Sequence, residues 1–264
     1  MRKEKALLTW RDVLVLIIAV KAAEEVKPSQ QAKRDVFQKY GYSGTKKDPL
    51  LTSIFYRVMK RLGVLDKVLM EATGVRNVLL LDSHLRAALR VFTELEVFSR
   101  RWVGFDDPYQ VRRRVSSMLS RRSHPYVGMW FFDISWTLRK FRPKPRSREE
   151  ELELKYLLPA WYIGRIISLV GEAEAAKYFE ALNRKPKISI RVTYKGRVEE
   201  VVRELTDSGV GGIEISKVLP AVIRFDGPFN FDASDSFKTG KFIIQEESAA
   251  LAPHILRPEP GDFA

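Results

Sequence analysis

The chain has 264 residues, 45% of them apolar and 30% charged, enough for one large domain or two smaller ones with a buried core. Forty-six Lys and Arg against 33 Asp and Glu leave +13 and a pI near 9.8, which points to a polyanionic partner, nucleic acid or anionic lipid, rather than to small neutral substrates. The absence of cysteine excludes disulfides, cysteine-ligated zinc, iron–sulfur clusters and any cysteine nucleophile within these residues, and the longest apolar run, the eight residues from Val13 to Val20, is far short of the about 20 that a spanning helix needs. A soluble, cytoplasmic chain without membrane contact is expected.

Helical periodicity opens the chain. Trp10, Val13, Leu14, Ile17 and Ile18 form an apolar stripe that ends near the Pro28-Ser29 turn, and further helices are predicted over Ser29 to Lys39, Pro49 to Leu62 and Val64 to Ala72. Leu85, Ala88, Leu89, Phe92 and Leu95 repeat the stripe, with Asp82 or Ser83 as N-cap. Pro108 to Ser120 and Tyr126 to Lys140 complete this run, and no strand pattern interrupts it. Phe141 to Ser147, with Pro143 and Pro145, cannot continue a helix and reads as a charged linker. Glu149 to Glu153 then give an acidic first turn to a helix reaching Leu157, followed by helices over Ala160 to Val170 and Glu172 to Leu182. Beyond Pro186 the period changes to two: Ile188, Ile190 and Val192 mark a strand, Val198, Val201, Val202 and Leu205 one face of a helix, and Ile213 to Ile215 and Ala221 to Phe225 two more strands. Strand, helix, strand, strand is the core of a small α+β domain of the ferredoxin-like or RNA-recognition-like kind.

The positive charge is concentrated. Residues 1–182 hold 34 basic and 21 acidic residues, whereas the remainder holds 12 of each. Between Arg100 and Arg148 alone, 13 basic residues, most of them arginine, face only Asp106, Asp107 and Asp133. The planar guanidinium fork matches phosphate oxygens better than the lysine ammonium does, so this stretch is predicted to contact nucleic-acid phosphates. Its candidates are Arg100, Arg101, Arg112, Arg113, Arg114, Arg121, Arg122, Arg139, Lys140, Arg142 and Lys144, joined from the second part by Arg191 and Lys195. Aromatic residues are interleaved with them: Trp102, Phe105, Tyr109, Tyr126, Trp130, Phe131, Phe132, Trp136 and Phe141. Most belong to a core by their helical spacing; one or two are left to stack on unpaired bases.

Other chemistries find no support. His84, His124 and His254 lie 40 and 130 residues apart, so no pair has local metal-ligand spacing, and each reads as a surface or capping residue. Gly209 to Gly212 follows a helix and precedes a strand, the reverse of a phosphate loop, and reads as a helix C-cap and turn. The acidic runs Glu149 to Glu153 and Glu246-Glu247 read as helix starts.

From Leu158 onward the chain resembles the Sun family of RNA cytosine-5 methyltransferases, in particular its RsmB-like members. The likeness lies in ordered segments: Leu158-Pro159-Ala160-Trp161-Tyr162, Gly171-Glu172-Ala173-Glu174-Ala175, Asn183-Arg184-Lys185-Pro186 before Ile190-Arg191-Val192-Thr193, and Phe237 to Ser248 before Leu256-Arg257-Pro258-Glu259-Pro260-Gly261-Asp262. Thr193 stands where the family usually has asparagine, and Glu246 where it usually has aspartate. The helical first part is similar in length and position to the NusB-like RNA-binding domain of such proteins, with Leu81-Asp82 and Leu85 to Val91 as the nearest local likeness.

The resemblance implies a mainly α protein followed by a small α+β domain: a NusB-like helical RNA-binding domain over 1–182, a ferredoxin-like or RNA-recognition-like domain over 183–245, and the start of a catalytic domain over 246–264. In the family a segment like Pro260-Gly261-Asp262 leads into a doubly wound domain with the S-adenosylmethionine loop and two catalytic cysteines, whereas here the chain stops at Phe263-Ala264. It is therefore expected to be the RNA-recognition front of an S-adenosylmethionine-dependent methyltransferase acting on rRNA or tRNA. No catalytic, metal or cofactor-binding residue is expected within it, no methyl transfer is expected by this chain alone, and a catalytic domain in cis or in trans is the implied second partner. The rival reading is a stand-alone RNA-binding or assembly factor without catalysis. Phe242 to Leu256 is expected to be marginally ordered, its apolar residues having been shaped for an absent domain; the alternative is that Phe242 to Gln245 adds a strand and the following helix covers the sheet.

Overall fold

Thr9 starts the first long helix by a reciprocal capping box: its hydroxyl accepts from the Asp12 amide at 3.3 Å, and the Asp12 carboxylate accepts from the Thr9 amide at 2.7 Å. This helix organises the first part of the computed structural model, which describes residues 5–262; residues 1–4, and Phe263 and Ala264 at the chain end, lie outside the described residues. The chain divides into two units, Met1–Glu180 and Ala181–Ala264.

The first unit runs β1 (Ala6–Leu8), α1 (Trp10–Glu25), α2 (Ser29–Lys39), α3 (Asp48–Lys60) and α4 (Leu62–Thr73), then a 3₁₀ turn at Val78–Leu80 and α5 (Ser83–Thr93), which continues through a π-helical turn at Glu94–Phe98. After it come β2 (Val103–Phe105), α6 (Pro108–Arg122), α7 (Pro125–Lys140), α8 (Arg148–Tyr156), α9 (Ala160–Val170) and α10 (Glu172–Asn183), the last crossing the boundary between the units. α1 packs against α2, α3, α5 and α6, so that Val13, Leu16, Ile17 and Val20 are fully buried among Phe37, Phe55, Phe92 and Leu119. A separate small core of Leu152, Tyr156, Ile163, Ala175 and Phe179 holds α8 to α10.

α6 and α7 approach closely at Gly128, where an added Cβ would lie 2.1 Å from Ser120 Oγ and 2.4 Å from the Ser116 carbonyl oxygen, so only hydrogen fits. Their caps are local: Asp107 accepts from the Tyr109 and Gln110 amides, and His124 Nδ1 accepts from the Tyr126 amide. One expectation fails here. The helical run is interrupted by β1 and β2, which pair in parallel with Ala6 opposite Val103 and Leu8 opposite Phe105. Strands of three residues are too short to show an alternating pattern, so the sequence hides them.

The second unit begins with β3 (Ile188–Val192) and α11 (Val198–Asp207) and continues through β4 (Gly211–Ile215), β5 (Val222–Asp226), α12 (Asp235–Lys238), β6 (Phe242–Ile244) and α13 (Glu247–Leu256). The strands form one antiparallel sheet in the order β4-β5-β3-β6. With its first strand between the third and the fourth, this is the ferredoxin-like β-α-β-β-α-β arrangement, the second helix being reduced to one turn. One face carries Ile190, Val192, Ile223, Phe225 and Phe242 against Val201 and Leu205 of α11. Gly209, at φ +74°, turns the chain out of α11. The mainly helical chain with a small antiparallel sheet agrees with the class expected from the sequence.

The terminal segment has the arrangement of the alternative, an added strand followed by a helix on the sheet. β6 pairs with β3, Phe242 is buried in the sheet core, and α13 lies on the opposite face through Ala250 and Leu251, which pack on Leu219 and Val222. Glu247 secures the start of α13 by accepting from Ser216 Oγ and pairing with Arg224. Ile243 and Ile244 of β6 and Ile255 and Leu256 of the last helical turn stay exposed.

Candidate nucleic-acid interface

Several cations of the first 90 residues tie the elements of the unit together through carboxylates. Arg90, nearly fully buried, donates to both oxygens of Asp66 at 2.7 and 2.6 Å and to Glu24 at 2.7 Å. Arg86 joins the same Glu24 and donates to the carbonyls of Leu79 and Leu81, so α1, α4 and α5 are bound by one network. Arg61 pairs with buried Glu94, Lys67 with Glu150 and Glu153, and Lys47 with Asp12. Asp12 also accepts from the Tyr42 hydroxyl at 2.9 Å. Burial pushes the Asp12 carboxyl up, but the hydrogen bonds from Lys47, Thr9 and Tyr42 together outweigh it and hold the group below its ordinary value.

The basic stretch has few such ties. Of the 13 basic residues from Arg100 to Arg148, only Arg112 and Arg148 pair with a carboxylate among the described residues. Arg101, Arg113, Arg114, Arg121, Arg122, Arg139, Lys140, Arg142 and Lys144 are all exposed. Arg113, Arg114, Arg121 and Arg122 project from α6; Arg114 and Arg121, seven residues apart, share one face, and the Arg114 guanidinium lies 5.0 Å from the Trp10 ring. Two of the interleaved aromatics are also exposed: Tyr109, 58% accessible, and Tyr126, 73% accessible and stacked on His124. Phe131, by contrast, is wholly in the core.

Arg112 is a correction. Its side chain is fully buried, with Nη2 donating to Glu96 and to the Ser135 carbonyl at 3.3 Å, and Nη1 to the Pro108 carbonyl at 3.0 Å. Its guanidinium lies 4.0 Å from the Trp136 ring and 5.5 Å from those of Phe92 and Phe105. Burial pushes its pKa down while Glu96 pulls it up. Arg112 fastens α6 to α7 and to the π-helical turn, and no phosphate can reach it. Arg100 is a partial correction: it is half-buried, and its Nη1 is enclosed without a hydrogen-bond partner among the described residues.

β1–β2 pairing assembles what the linear sequence keeps apart. A cavity of about 340 Å³ is lined by Lys5 and Leu7 at β1, Leu95, Glu96 and Arg100 around the π-helical turn, Val103, Gly104 and Phe105 of β2, Pro108, Arg139 in the last turn of α7 and Arg142 just after it. Arg142 is held there by donating to the carbonyls of Arg139 and Phe141, at 3.0 and 2.6 Å. Lys5 was not among the sequence candidates; only the strand pairing, which the sequence conceals, brings it here.

In the second unit the candidates separate. Arg191 is half-buried with Nε donating to Gln245 at 2.5 Å, a tie between β3 and the residue after β6. Its face of the sheet presents Ser189, Arg191, Val222 and Arg224, without the aromatic platform by which RNA-recognition sheets stack bases, and α13 lies across it. Lys195 is exposed beside Tyr194, itself 94% accessible, at the turn between β3 and α11. Among the described residues no cluster of His, Asp and Glu has metal-binding geometry, and no helix is long and apolar enough to cross a membrane.

Residues 158–232 match the family model for the ferredoxin-like domain of RsmF/B-like methyltransferases. That likeness coincides with the β-α-β-β core and with the two helices before it. Among solved structures, the crystal structure of PH0851 is similar over 98% of this chain at 40% identity, with a TM-score of 0.79. The chain spans 58% of the PH0851 chain. No curated protein matches it.

Proposed function

We propose that these 264 residues are the RNA-engaging portion of an RNA methyltransferase related to the RsmB-like enzymes, with rRNA or tRNA as the partner. The observation that carries the reading is the basic stretch of the first unit: nine exposed cations from Arg101 to Lys144 have no carboxylate partner among the described residues, and the only acidic residues between them in sequence are Asp106, Asp107 and Asp133. Unpaired arginines on a helix-presented surface supply phosphate contacts and counterion release, and Tyr109, Tyr126 and Tyr194 supply stacking faces for single-stranded bases. The helical unit takes the place of a NusB-like RNA-binding domain, and the similarity of residues 158–232 to a methyltransferase-associated domain supports the enzyme class. Methyl transfer from S-adenosylmethionine is assigned to a catalytic domain outside these residues, joined in cis or in trans, since the 264 residues contain no cysteine to attack a cytosine ring.

A salt titration of RNA affinity tests the reading. Replacing Arg113, Arg114, Arg121 and Arg122 by Gln removes four cations while sparing Arg112, and should flatten the log–log slope by about 2 to 3 on single-stranded RNA. An unchanged affinity and slope would refute it. The packing of Ala250 and Leu251 of α13 on the unit's own sheet favours a second reading, a stand-alone RNA-binding or assembly factor.

A further inference from the structure

We infer that the cavity between β1, β2 and the end of α7 is a pocket for one nucleotide, taking a base or ribose on its apolar wall and a phosphate on its cations; as a site on RNA, it rests on the reading above. Its volume of about 340 Å³ lies at the lower end of the roughly 300–1,000 Å³ of ligand clefts, matching a small occupant. The lining divides by chemistry. Leu7, Leu95, Val103, Phe105 and Pro108 form the apolar part, and Lys5, Arg100, Arg139 and Arg142 the cationic part. Glu96, the only acidic residue among the described lining residues, is already engaged by Arg112.

Three features fit these cations to an anion rather than to solvent. Arg100 Nη1 is buried with no partner among the described residues, an arrangement that is costly for a cationic donor until an acceptor arrives. Arg142 is fixed by two backbone carbonyls, and Arg139 lies 5.6 Å from the Trp136 ring, so both are positioned before a ligand binds. Gly104, in β2, leaves open the space beside Leu7: a Cβ there would meet Leu7 Cδ2 at 3.4 Å, and a larger side chain would have to occupy the cavity. A guanidinium set over an apolar wall distinguishes a nucleotide from bare phosphate, which would gain nothing from the wall, and from a nucleoside, which would gain nothing from the cations.

Cytidine 5′-monophosphate, cytidine and inorganic phosphate are titrated into the full chain by calorimetry, and a fluorescein-labelled single-stranded oligoribonucleotide is followed by anisotropy. The nucleotide should bind saturably and at least about tenfold more tightly than cytidine or phosphate. Gly104→Leu should abolish nucleotide binding without changing charge, and Arg139→Gln with Arg142→Gln should do so without filling the cavity. Because Arg139 and Arg142 are exposed, the second variant carries the test if the first fails to fold by circular dichroism. If the oligonucleotide also loses about tenfold with both variants, the occupant is a nucleotide of RNA. If the nucleotide binds and responds to both variants while RNA binds nowhere, the pocket stands as a free-nucleotide site and the RNA reading falls. If RNA binds but the nucleotide does not, or binds equally to wild type and to Arg139→Gln/Arg142→Gln, the pocket is overturned and the RNA reading stands.

Discussion

Replacing Arg112 by Ala should destabilise the helical unit before it affects any ligand. The side chain is fully buried, and its loss would strand Glu96, only 13% exposed, without the cation that neutralises it. Two backbone carbonyls, those of Pro108 and Ser135, would lose their donor at the same time. Breaking one half of a buried pair costs about 3–5 kcal/mol, a large part of the roughly 5–15 kcal/mol that holds a domain together. The void left beside Trp136, Phe92 and Phe105 adds to that cost rather than offsetting it. Urea denaturation of wild type and Arg112→Ala should therefore show a midpoint lowered by about a third or more of its wild-type value, whereas Arg113→Ala should leave it unchanged. Converting both partners, Arg112→Met with Glu96→Leu, should restore much of the loss, because no charge is then left unpaired. A loss below about 1 kcal/mol for Arg112→Ala would refute the assignment of Arg112 to the fold, as would weakened RNA binding at full stability.

Gly128→Ala should cost about 1–3 kcal/mol by forcing α6 from α7, read as a lowered thermal midpoint, since the new methyl would collide with the Ser116 carbonyl. Asp12→Ala should cost about 2 kcal/mol at pH 7, where the carboxylate caps α1 and binds Tyr42 and Lys47. Because the folded-state pKa of Asp12 lies below its ordinary 3.8, that contribution is complete above this value and is lost as acid protonates the group; the wild-type advantage in melts across pH should narrow only below about pH 4. Hydrogen exchange should show the amides of Ala250 and Leu251 protected comparably to those of α11, with His254 to Leu256 exchanging fast; uniform fast exchange through α13 would restore the idea of a segment that needs a missing partner.

The parts legible in the sequence were those encoded within a few residues. α2 and α9 begin and end where the apolar spacing, Pro28, Pro159 and Gly171 place them, and β3 shows its alternation openly. β1 and β2 were not legible, because each is three residues long and the pairing joins positions almost a hundred residues apart. That one omission also hid the cavity and the part played by Lys5. The misreading of Arg112 had a detectable signal. Consecutive helical residues point about 100° apart, so Arg112-Arg113-Arg114 cannot form one patch, and Arg112 stands three and seven residues before Val115 and Leu119 on the buried stripe. The packing of α13 was also within reach, since Ala250 and Leu251 supply an apolar contact for Val222.

The division between bridged and unbridged cations makes ionic strength act in two opposite senses on this molecule. Nine exposed cations without a carboxylate partner among the described residues repel one another in the empty protein, and added salt relieves that repulsion, raising the melting temperature. The same salt competes for a polyanion and releases it. The protein should therefore be most fragile in dilute buffer without nucleic acid, and should leave the cell lysate carrying nucleic acid unless washed at high salt. Heparin or any other linear polyanion should stabilise it in dilute buffer by mass action, so a melting curve taken without regard to copurified nucleic acid would report the complex instead of the chain.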